Sequence, residues 1–315
     1  MEWGRGARYQ VTGIRAISIL HHASCILHPY KALVTRHSIG DPHWRAGLGY
    51  GMKSLGPNRR GLSGCPERRA GMPSVRYWVG CSGWFYRGWR GLFYPADLPM
   101  HRWFEYYQAR FPIVEMNSTF YRFPRTATTR AWVRPARPDF AFVVKVHRSI
   151  SHFRQYDRWP AFYEAMEPLG DRLKGILIQL PPSVRMDSDF WKSLLAPLSH
   201  SFAHFIEFRH VSWFQALDRI VGSLPLHVGL VSVSAPASTG LPEVLIVTHE
   251  TAYVRFHGRT AWYRYDYTDD ELRVWADRIR SAPLKQAFAF FNNDVGGSAP
   301  RNALRLKALL TEVTE

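Results

Sequence analysis

The stretch Glu207-Phe208-Arg209-His210-Val211-Ser212-Trp213 joins a buried strand to charged side chains, and this combination decides how the chain is interpreted. The residues before it, Phe205 and Ile206, are apolar and typical of a buried strand. Glu207 and Arg209 are two residues apart, so in a strand their side chains point to the same side. Burying both charges is costly unless each finds a partner. A strand that ends in charge just before a helix start indicates the mouth of a site.

Segments with the same plan recur along the chain, each an apolar strand followed by a helical pattern. Apolar residues at helical spacing mark the helices, and Thr268 with Glu271 three residues later forms a capping box. The pattern predicts helices over 100–110, 126–133, 160–166, 190–198, 213–224, 268–280 and 303–310. It predicts strands over 76–81, 113–117, 140–146, 175–180, 204–208, 229–234, 252–256 and 287–291.

This alternation predicts an α/β fold across residues 72–315, specifically a TIM-type (β/α)8 barrel, which usually has about 250 residues. A doubly wound open sheet is the alternative. Such a sheet carries a Gly-rich dinucleotide turn after its first strand. Here the turn reads Cys81-Ser82-Gly83-Trp84 and lacks the G-x-G-x-x-G spacing. The barrel is therefore the expected architecture.

Composition limits the class of protein. Hydrophobic residues make up 46% of the chain, which supports a packed core. The cysteines Cys25, Cys65 and Cys81 have no metal-ligand spacing and favour a reducing, cytoplasmic compartment over a disulfide framework. No apolar run approaches the roughly 20 residues of a membrane helix. Residues 14–27 make a poor signal peptide because Arg15 and two histidines interrupt them.

Residues 1–71 have a different character from the rest. They hold 11 Lys and Arg against 3 Asp and Glu, whereas residues 72–315 hold 30 against 22. Gly, Arg, His and Ser are frequent there, and no helical or strand period persists, so we expect a disordered basic extension. One interpretation is an arm that binds nucleic acid. The favoured one is upstream sequence from a misassigned start codon, with Met72 as the true start.

The carboxyl ends of the predicted strands carry the candidate chemistry, as they do in barrels of this type. Four strands end in polar residues two apart, which places both members of each pair on one face. The pairs are Glu115 with Asn117, Lys145 with His147, Glu207 with Arg209, and Arg255 with His257. Four such pairs at one end indicate a formed site. The candidate catalytic residues are Glu115, Lys145, His147, Glu207, Arg209, Arg255 and His257.

Two interpretations of these residues stay open. In the catalytic interpretation, Glu115, Glu207 or His147 acts as the general base. The cations Lys145, Arg209 and Arg255 stabilise developing negative charge. In the structural one, the charged side chains form a buried ion network that ties the fold together and perturbs pKa values without chemistry.

Aromatic and amide side chains surround the predicted mouth. Rings interleaved with arginines suit stacking on bases or sugars, although many rings could simply pack under loops. The expected ligand contacts are Trp84, Tyr86, Asn117, Tyr121, Gln179, His210, Trp213, Asn292 and Asn293. The loop 292–300 places glycines before a helix that starts near Pro300, with Ser298 or Ala299 as its cap. Free N–H groups there suit a phosphate, and the alternative is an ordinary polar loop.

A metal site is the less favoured interpretation of the same mouth. Candidate ligands are present in Glu115, His147, Glu207, His210 and His257. No short motif such as H-E-x-x-H supports a metal, and the neighbouring cations repel one. We therefore expect neither a metal nor a cofactor.

Several strand ends resemble those of one family. The segments are Val79-Gly80-Cys81-Ser82-Gly83-Trp84, Glu115-Met116-Asn117-Ser118-Thr119-Phe120-Tyr121, Lys145, Gln179-Leu180-Pro181-Pro182, Glu207-Phe208-Arg209-His210 with Ser212-Trp213, Arg255-Phe256-His257-Gly258 and Phe291-Asn292-Asn293. In this order, over residues 76–310, they resemble the YecE-like family, also called domain of unknown function 72. The resemblance implies a TIM-type barrel and brings no activity. It also implies an aspartate at position 234, where this chain has Ser234, so any scheme that uses that carboxylate is in doubt.

Together these observations predict an acid–base enzyme, such as a hydrolase, that binds a small anionic and phosphate-bearing ligand at the mouth. The rival prediction is a non-catalytic protein that binds nucleic acid through its basic aromatic surface. Ser234 also leaves room for a variant that has lost activity.

Overall fold

The protein is represented by a computed structural model, and the structure describes residues 75–312. These residues form an α/β fold built on parallel strands, as the sequence predicts. The strands are β1 (Arg76–Cys81), β2 (Ile113–Met116), β3 (Ala141–Lys145), β4 (Leu173–Gln179), β5 (His204–Glu207), β6 (Val228–Ser234), β7 (Val247–Thr248), β8 (Thr251–Phe256) and β9 (Gln286–Phe291).

Helices follow most of the strands. The α-helices are α1 (Trp103–Gln108), α2 (Ser118–Tyr121), α3 (Thr126–Val133), α4 (Arg148–Ser151), α5 (Trp159–Met166), α6 (Ser188–Leu195), α7 (Ser212–Gln215), α8 (Leu217–Gly222), α9 (Asp269–Ser281) and α10 (Ser298–Thr311). Short 3-10 helices occupy Arg87–Trp89, Met100–Arg102, Tyr156–Arg158, Glu167–Arg172, Ala237–Thr239 and Val295–Gly297. The capping box of α9 is present, with Thr268 accepting from the Glu271 N–H and Glu271 bonding back to the Thr268 N–H.

Backbone hydrogen bonds join the strands in the order β1-β9-β8-β6-β5-β4-β3-β2, and every pairing along this path is parallel. The short strand β7 lies off the path and pairs antiparallel with β8. The strands β1 and β2 lie at the two ends of the path. Within residues 75–312, no backbone ladder joins these two end strands.

Side chains nevertheless connect the two end strands. The Tyr107 hydroxyl on α1 accepts from the Cys81 N–H at 2.8 Å and donates to the Ile113 carbonyl at 3.0 Å. A Cβ atom on Gly80 would lie 2.3 Å from the Ile113 carbonyl oxygen. Glycine at position 80 therefore permits an approach that no other residue would allow.

The two faces of the sheet have different partners. One face packs against the helices and forms the larger hydrophobic cluster. The other face, which we call the site face, carries Trp78, Ile113, Ala141, Val143, Leu177, Phe205, Val231, Val233, Tyr253, Phe288 and Phe290. Its amino-terminal half is lined by a ring layer of Trp78, Phe205, Tyr253 and Phe288, whose ring centroids lie 4.8 to 6.3 Å apart. Side chains two residues further along these strands therefore point to the same face at its carboxyl-terminal half.

The structure differs from the prediction in several elements, and the short helices α2 and α4 were not predicted. The helix predicted over 213–224 divides into α7 and α8 because Ala216 leaves the helical conformation, which lets Trp213 and Leu217 both pack in the core. The strand β7 was not predicted. The last helix begins at Ser298, and its N-cap is Gly297 in a left-handed conformation, not Ser298 or Ala299.

The prediction of a disordered basic extension over residues 1–71 lies outside the described residues. Among the helices of residues 75–312, none has both the length and the apolar character needed to cross a membrane.

Candidate functional site

The carboxyl-terminal half of the site face holds a charge layer, which we define as Glu115, Glu207, Arg209, Arg255 and His257. The strands β2, β5 and β8 deliver these side chains at the two-residue spacing seen in the sequence. Glu115, Glu207, Arg255 and His257 are completely buried. The structure thus brings together five of the seven predicted catalytic residues.

Glu115 is saturated with hydrogen bonds. Arg255 binds it through two nitrogens, with Nε 2.9 Å from Oε2 and Nη2 2.6 Å from Oε1. The Ser82 and Tyr253 hydroxyls each donate to it at 2.6 Å. Four donors leave this carboxylate little capacity to accept a substrate proton, so its contacts favour a structural role.

Glu207 is held between two guanidinium groups. Arg255 Nη1 donates to Oε2 at 2.6 Å, and Arg209 Nε donates to Oε1. Burial raises the pKa of Glu207, but the positive charges of Arg209 and Arg255 outweigh burial and hold that pKa well below its ordinary value. Burial lowers the pKa of Arg255, and the two carboxylates more than offset this effect. Glu207 and Arg255 therefore remain charged at neutral pH.

His257 lies against the same guanidinium groups. Its Nε2 is 3.0 Å from Arg209 Nη2 and 3.4 Å from Arg255 Nη1. Guanidinium nitrogens only donate, and so does the Asn292 amide nitrogen that lies 3.2 Å from Nδ1, while Glu207 Oε1 is an acceptor 3.4 Å from Nε2. Burial and the charge of Arg209 lower the pKa of His257 to about 3. A capped, neutral ring suits positioning of Arg209 better than proton transfer.

Lys145 stands apart from these ion pairs. It lies at the end of β3 with 8% of its surface exposed, and Nζ donates to Gln179 Oε1 at 2.7 Å. Across residues 75–312, no carboxylate oxygen comes within 4.0 Å of this amine. Burial and the nearby charge of Arg255 lower the pKa of Lys145 to about 7, although Glu207 and Glu115 oppose the change. The amine can therefore gain or lose a proton near neutral pH.

Two predicted site histidines cap local backbone instead of joining the charge layer. His147 Nδ1 accepts from the Ser149 N–H at 3.1 Å, and His210 Nδ1 accepts from the Ser212 N–H at 3.2 Å. Burial lowers the pKa of His147, and nearby arginines add to the effect. Both rings are partly exposed, and in the described part of the chain neither hydrogen-bonds to the charge layer.

The predicted ligand contacts have different environments. Trp213 is fully buried, its Nε1 donates to the Val184 carbonyl at 2.8 Å, and its ring stacks on Phe208, which favours a packing role. Asn293 is also fully buried and donates to the Tyr265 carbonyl and to Asn302.

The remaining predicted contacts stay near solvent. Gln179 holds Lys145, and Asn292 lies beside His257. The ring of Tyr121 is 70% exposed. A cavity of about 230 Å³ lies at the ends of β1 and β2. Its walls include Trp84, Tyr86 and Asn117 from the predicted set.

The loop before α10 does not offer an open phosphate site. Ser298, Ala299 and Pro300 are buried, and the Ala299 N–H donates to the Asn293 carbonyl at 3.1 Å. A Cβ on Gly297 would lie 3.1 Å from the Cβ of Leu92, so Leu92 covers this turn. These contacts favour the alternative of an ordinary polar loop.

Ser234, where the family resemblance implied an aspartate, is buried and bonded. Its hydroxyl donates to Glu243 Oε1 at 2.7 Å and accepts from the Tyr267 hydroxyl at 2.9 Å. Glu243 also pairs with Arg259 at 3.2 Å. A carboxylate from the following loop therefore contacts the Ser234 side chain. As for metals, no three His, Cys, Asp or Glu side chains converge as a metal site would require anywhere in residues 75–312.

Four residues that contact the site are not among the predicted catalytic and ligand-binding residues, although Phe120 and Trp262 belong to the aromatic side chains expected around the mouth. Tyr253 precedes Arg255 by two residues, so the strand period could have identified it. Phe120 lies 4.2 Å from Lys145 Nζ, and the His152 ring lies 4.9 Å from the Phe120 ring. Trp262 lies 4.5 Å from the Arg209 guanidinium. Phe120, His152 and Trp262 lie outside the strands, so the two-residue period of a strand does not identify them.

The chain is similar to known proteins. Residues 78–315 match the model of a family described as "Protein of unknown function DUF72". The UPF0759 protein YunF of Bacillus subtilis is 27% identical over 272 residues, which cover 74% of this chain and 94% of that protein.

Solved structures are also similar. A DUF72 family protein of Thermotoga maritima is 30% identical, with a TM-score of 0.65, over 75% of this chain and all of that one. A DUF72 family protein of Enterococcus faecalis is 22% identical, with a TM-score of 0.66, over 77% of this chain and 97% of that one, and it shares the fold. The family match covers most of the chain and includes every strand that delivers the charge layer. This chain belongs to the DUF72 family.

Proposed function

We propose that this protein is an acid–base enzyme that acts on a small anionic, phosphate-bearing ligand, with Lys145 as the group that exchanges a proton. The observation that carries the proposal is the separation of Lys145 from the ion pairs. Both carboxylates of the charge layer are bound to arginine, whereas the Lys145 amine has an amide and an aromatic ring as neighbours. A buried group whose pKa lies near 7 is suited to general acid–base catalysis.

Arg209 supports an anionic ligand. Its Nε binds Glu207 and its Nη2 contacts His257, and within residues 75–312 its Nη1 has no hydrogen-bond partner. The centre of the Trp262 ring lies 4.5 Å from the guanidinium carbon, and this cation–π contact helps to orient the guanidinium. Arg209 therefore has N–H groups without a partner in residues 75–312, its charge acts on Lys145, and guanidinium groups bind phosphate oxygens well.

We also infer that the sheet closes as a (β/α)8 barrel. The strand path follows chain order from β2 to β9 and leaves β1 beside β9, as barrel closure requires. Contacts of Tyr107 and Ser82 between β1 and β2 support the remaining closure. In that arrangement the charge layer lies at the mouth where barrel enzymes hold their active sites.

The test is thermal unfolding of the full chain with inorganic phosphate, phosphorylated sugars, nucleotides and oligonucleotides. A ligand that binds only the folded state raises the Tm. We expect a small phosphorylated compound to raise the Tm of the wild type and of Lys174→Met, but not of Lys145→Met. Lys174 is the matched control because it lies at the amino end of β4, also near an aromatic ring.

Other outcomes would contradict the proposal. If no small anion raises the Tm, the proposed ligand class is wrong. If only oligonucleotides do so, and their effect fades steeply with salt, the protein binds nucleic acid through its basic surface.

A further inference from the structure

The Lys145 amine has the surroundings of a nucleophile. Its Nζ donates one hydrogen bond to Gln179 and faces the Phe120 ring, and it makes no other hydrogen bond within residues 75–312. The Thr119 hydroxyl donates to the Lys145 carbonyl at 2.5 Å and to the Met116 carbonyl at 3.1 Å. These bonds fix the end of β3 against α2, so the backbone that carries the amine is held in place.

The groups that face Lys145 keep it reactive. Arg255 and Arg209 are cations that disfavour an ammonium, while Glu207 and Glu115 favour one but are bound to arginines. His152 is the remaining titratable neighbour, and burial together with the charge of Lys145 lowers its pKa to about 4. Lysines that lie in an apolar pocket or beside another cation are the ones that form Schiff bases in enzymes.

We propose that the Lys145 amine forms a covalent iminium with the carbonyl carbon of an aldehyde or ketone substrate that also carries a phosphate or carboxylate group. This inference rests on the proposed function. It narrows the reaction class from acid–base catalysis in general to chemistry through an iminium. The neutral amine attacks the carbonyl carbon, a nitrogen proton moves to the oxygen, and the carbinolamine forms. Loss of that oxygen as water, with one more proton taken up, leaves the C=N bond of the protonated iminium.

The anionic group of the substrate has a defined partner. Arg209 belongs to the neighbouring charge layer, and its charge acts on the Lys145 amine. Its Nη1 is free of hydrogen bonds from the described residues, and the Trp262 ring lies against the guanidinium. A substrate held by that guanidinium could present its carbonyl to Lys145 Nζ. The inference therefore requires both a carbonyl and an anion in one small molecule.

Pyridoxal 5'-phosphate is a suitable probe because it combines an aldehyde with a phosphate. The full chain is incubated with it, reduced with sodium borohydride, and analysed by intact mass and peptide mapping. The chain has seven lysines, so each can be scored separately. We expect one adduct per chain, on Lys145, with labelling at least 10-fold weaker when pyridoxal replaces the phosphate form.

The pH profile gives a second readout. Labelling of Lys145 should reach half its maximum near pH 7, whereas exposed lysines should need a pH about three units higher. Mapping is done on the wild type, so the result does not depend on whether Lys145→Met folds. Label spread over the exposed lysines, or absent from Lys145, would overturn the inference.

Failure of the inference is distinguishable from failure of the proposed function. If small phosphorylated compounds still raise the Tm through Lys145 while no adduct forms, then Lys145 transfers protons without covalent chemistry. If neither effect occurs, both proposals are wrong.

Discussion

The two halves of the site face are built from the same strands but are held together differently. The ring layer at the amino-terminal half packs Phe205 against Tyr253 and Phe288, with centroids 4.8 and 5.4 Å apart. The charge layer at the carboxyl-terminal half begins two residues later on the same strands, with Glu207 after Phe205 and Arg255 after Tyr253. Each of these strands therefore contributes an aromatic residue to the ring layer and, two residues later on the same face, a charged residue to the charge layer.

The ring layer depends on shape. A Cβ on Gly175 would lie 2.5 Å from the Phe205 ring, and one on Gly229 would lie 3.0 Å from it. Small residues on neighbouring strands thus make room for large ones, as close packing requires. The charge layer depends instead on pairing, because each buried carboxylate must find a donor. Tyr253 joins the two, since its ring belongs to the first layer and its hydroxyl donates to Glu115.

Removal of Arg255 gives the largest expected effect. The Arg255→Met variant leaves Glu115 and Glu207 buried without their shared cation, and we expect a loss of about 3 to 5 kcal/mol in the free energy of unfolding. Urea denaturation at pH 7 measures it. The control is Arg102→Met, which removes an exposed ion pair with Glu105 and should change stability little. Equal losses in the free energy of unfolding for the two variants would show that burial does not determine how much the charge layer contributes to stability.

Lys145 gives an effect of comparable size that depends on pH. The pKa of Lys145 in the folded chain, about 7, lies below the ordinary lysine value of 10.5, so the unfolded chain binds more protons than the folded one between these pH values. Wild-type stability therefore rises with pH across this window, and the cost of the buried ammonium is fully present below pH 7. Lys145→Met removes this dependence, so we expect the stability of the variant relative to the wild type to fall by about 4 kcal/mol from pH 6 to pH 10.5.

The matched variant for this experiment is Lys174→Met at the amino end of β4. Its stability relative to the wild type is measured over the same pH range. If both variants behave alike, the carboxyl-terminal half of the site face has no special effect on a lysine, and the contrast between the halves disappears.

The strand period predicted the composition of the charge layer from the sequence. Backbone geometry fixes which side chains share a face, so Glu207 with Arg209 and Arg255 with His257 could be placed together. The partners could not be predicted, because Arg255 binds Glu115 from a strand 140 residues away in sequence. Strand period alone also cannot separate a paired cation from Lys145, whose isolation depends on the side chains that surround it.

Local contacts explain why some of the predicted site residues do not join the charge layer. In His147 and His210 the ring bonds the backbone N–H two residues later, a local contact that competes with a role in the site. Trp213 follows a charged strand end, but its ring stacks on Phe208 in the core. Closeness in sequence to a strand end therefore does not determine where a side chain points.

The most direct test of the central claim, that Lys145 is held apart from the structural ion pairs and titrates near neutral pH, is an NMR titration. The full chain is labelled with ¹³C,¹⁵N-lysine, the Lys145 signal is assigned from Lys145→Arg, and the Cε and Nζ shifts are followed from pH 5 to pH 11. We expect the Lys145 signal to have a midpoint near pH 7. Titration of the Lys145 signal near the ordinary lysine value of about 10.4 would contradict it.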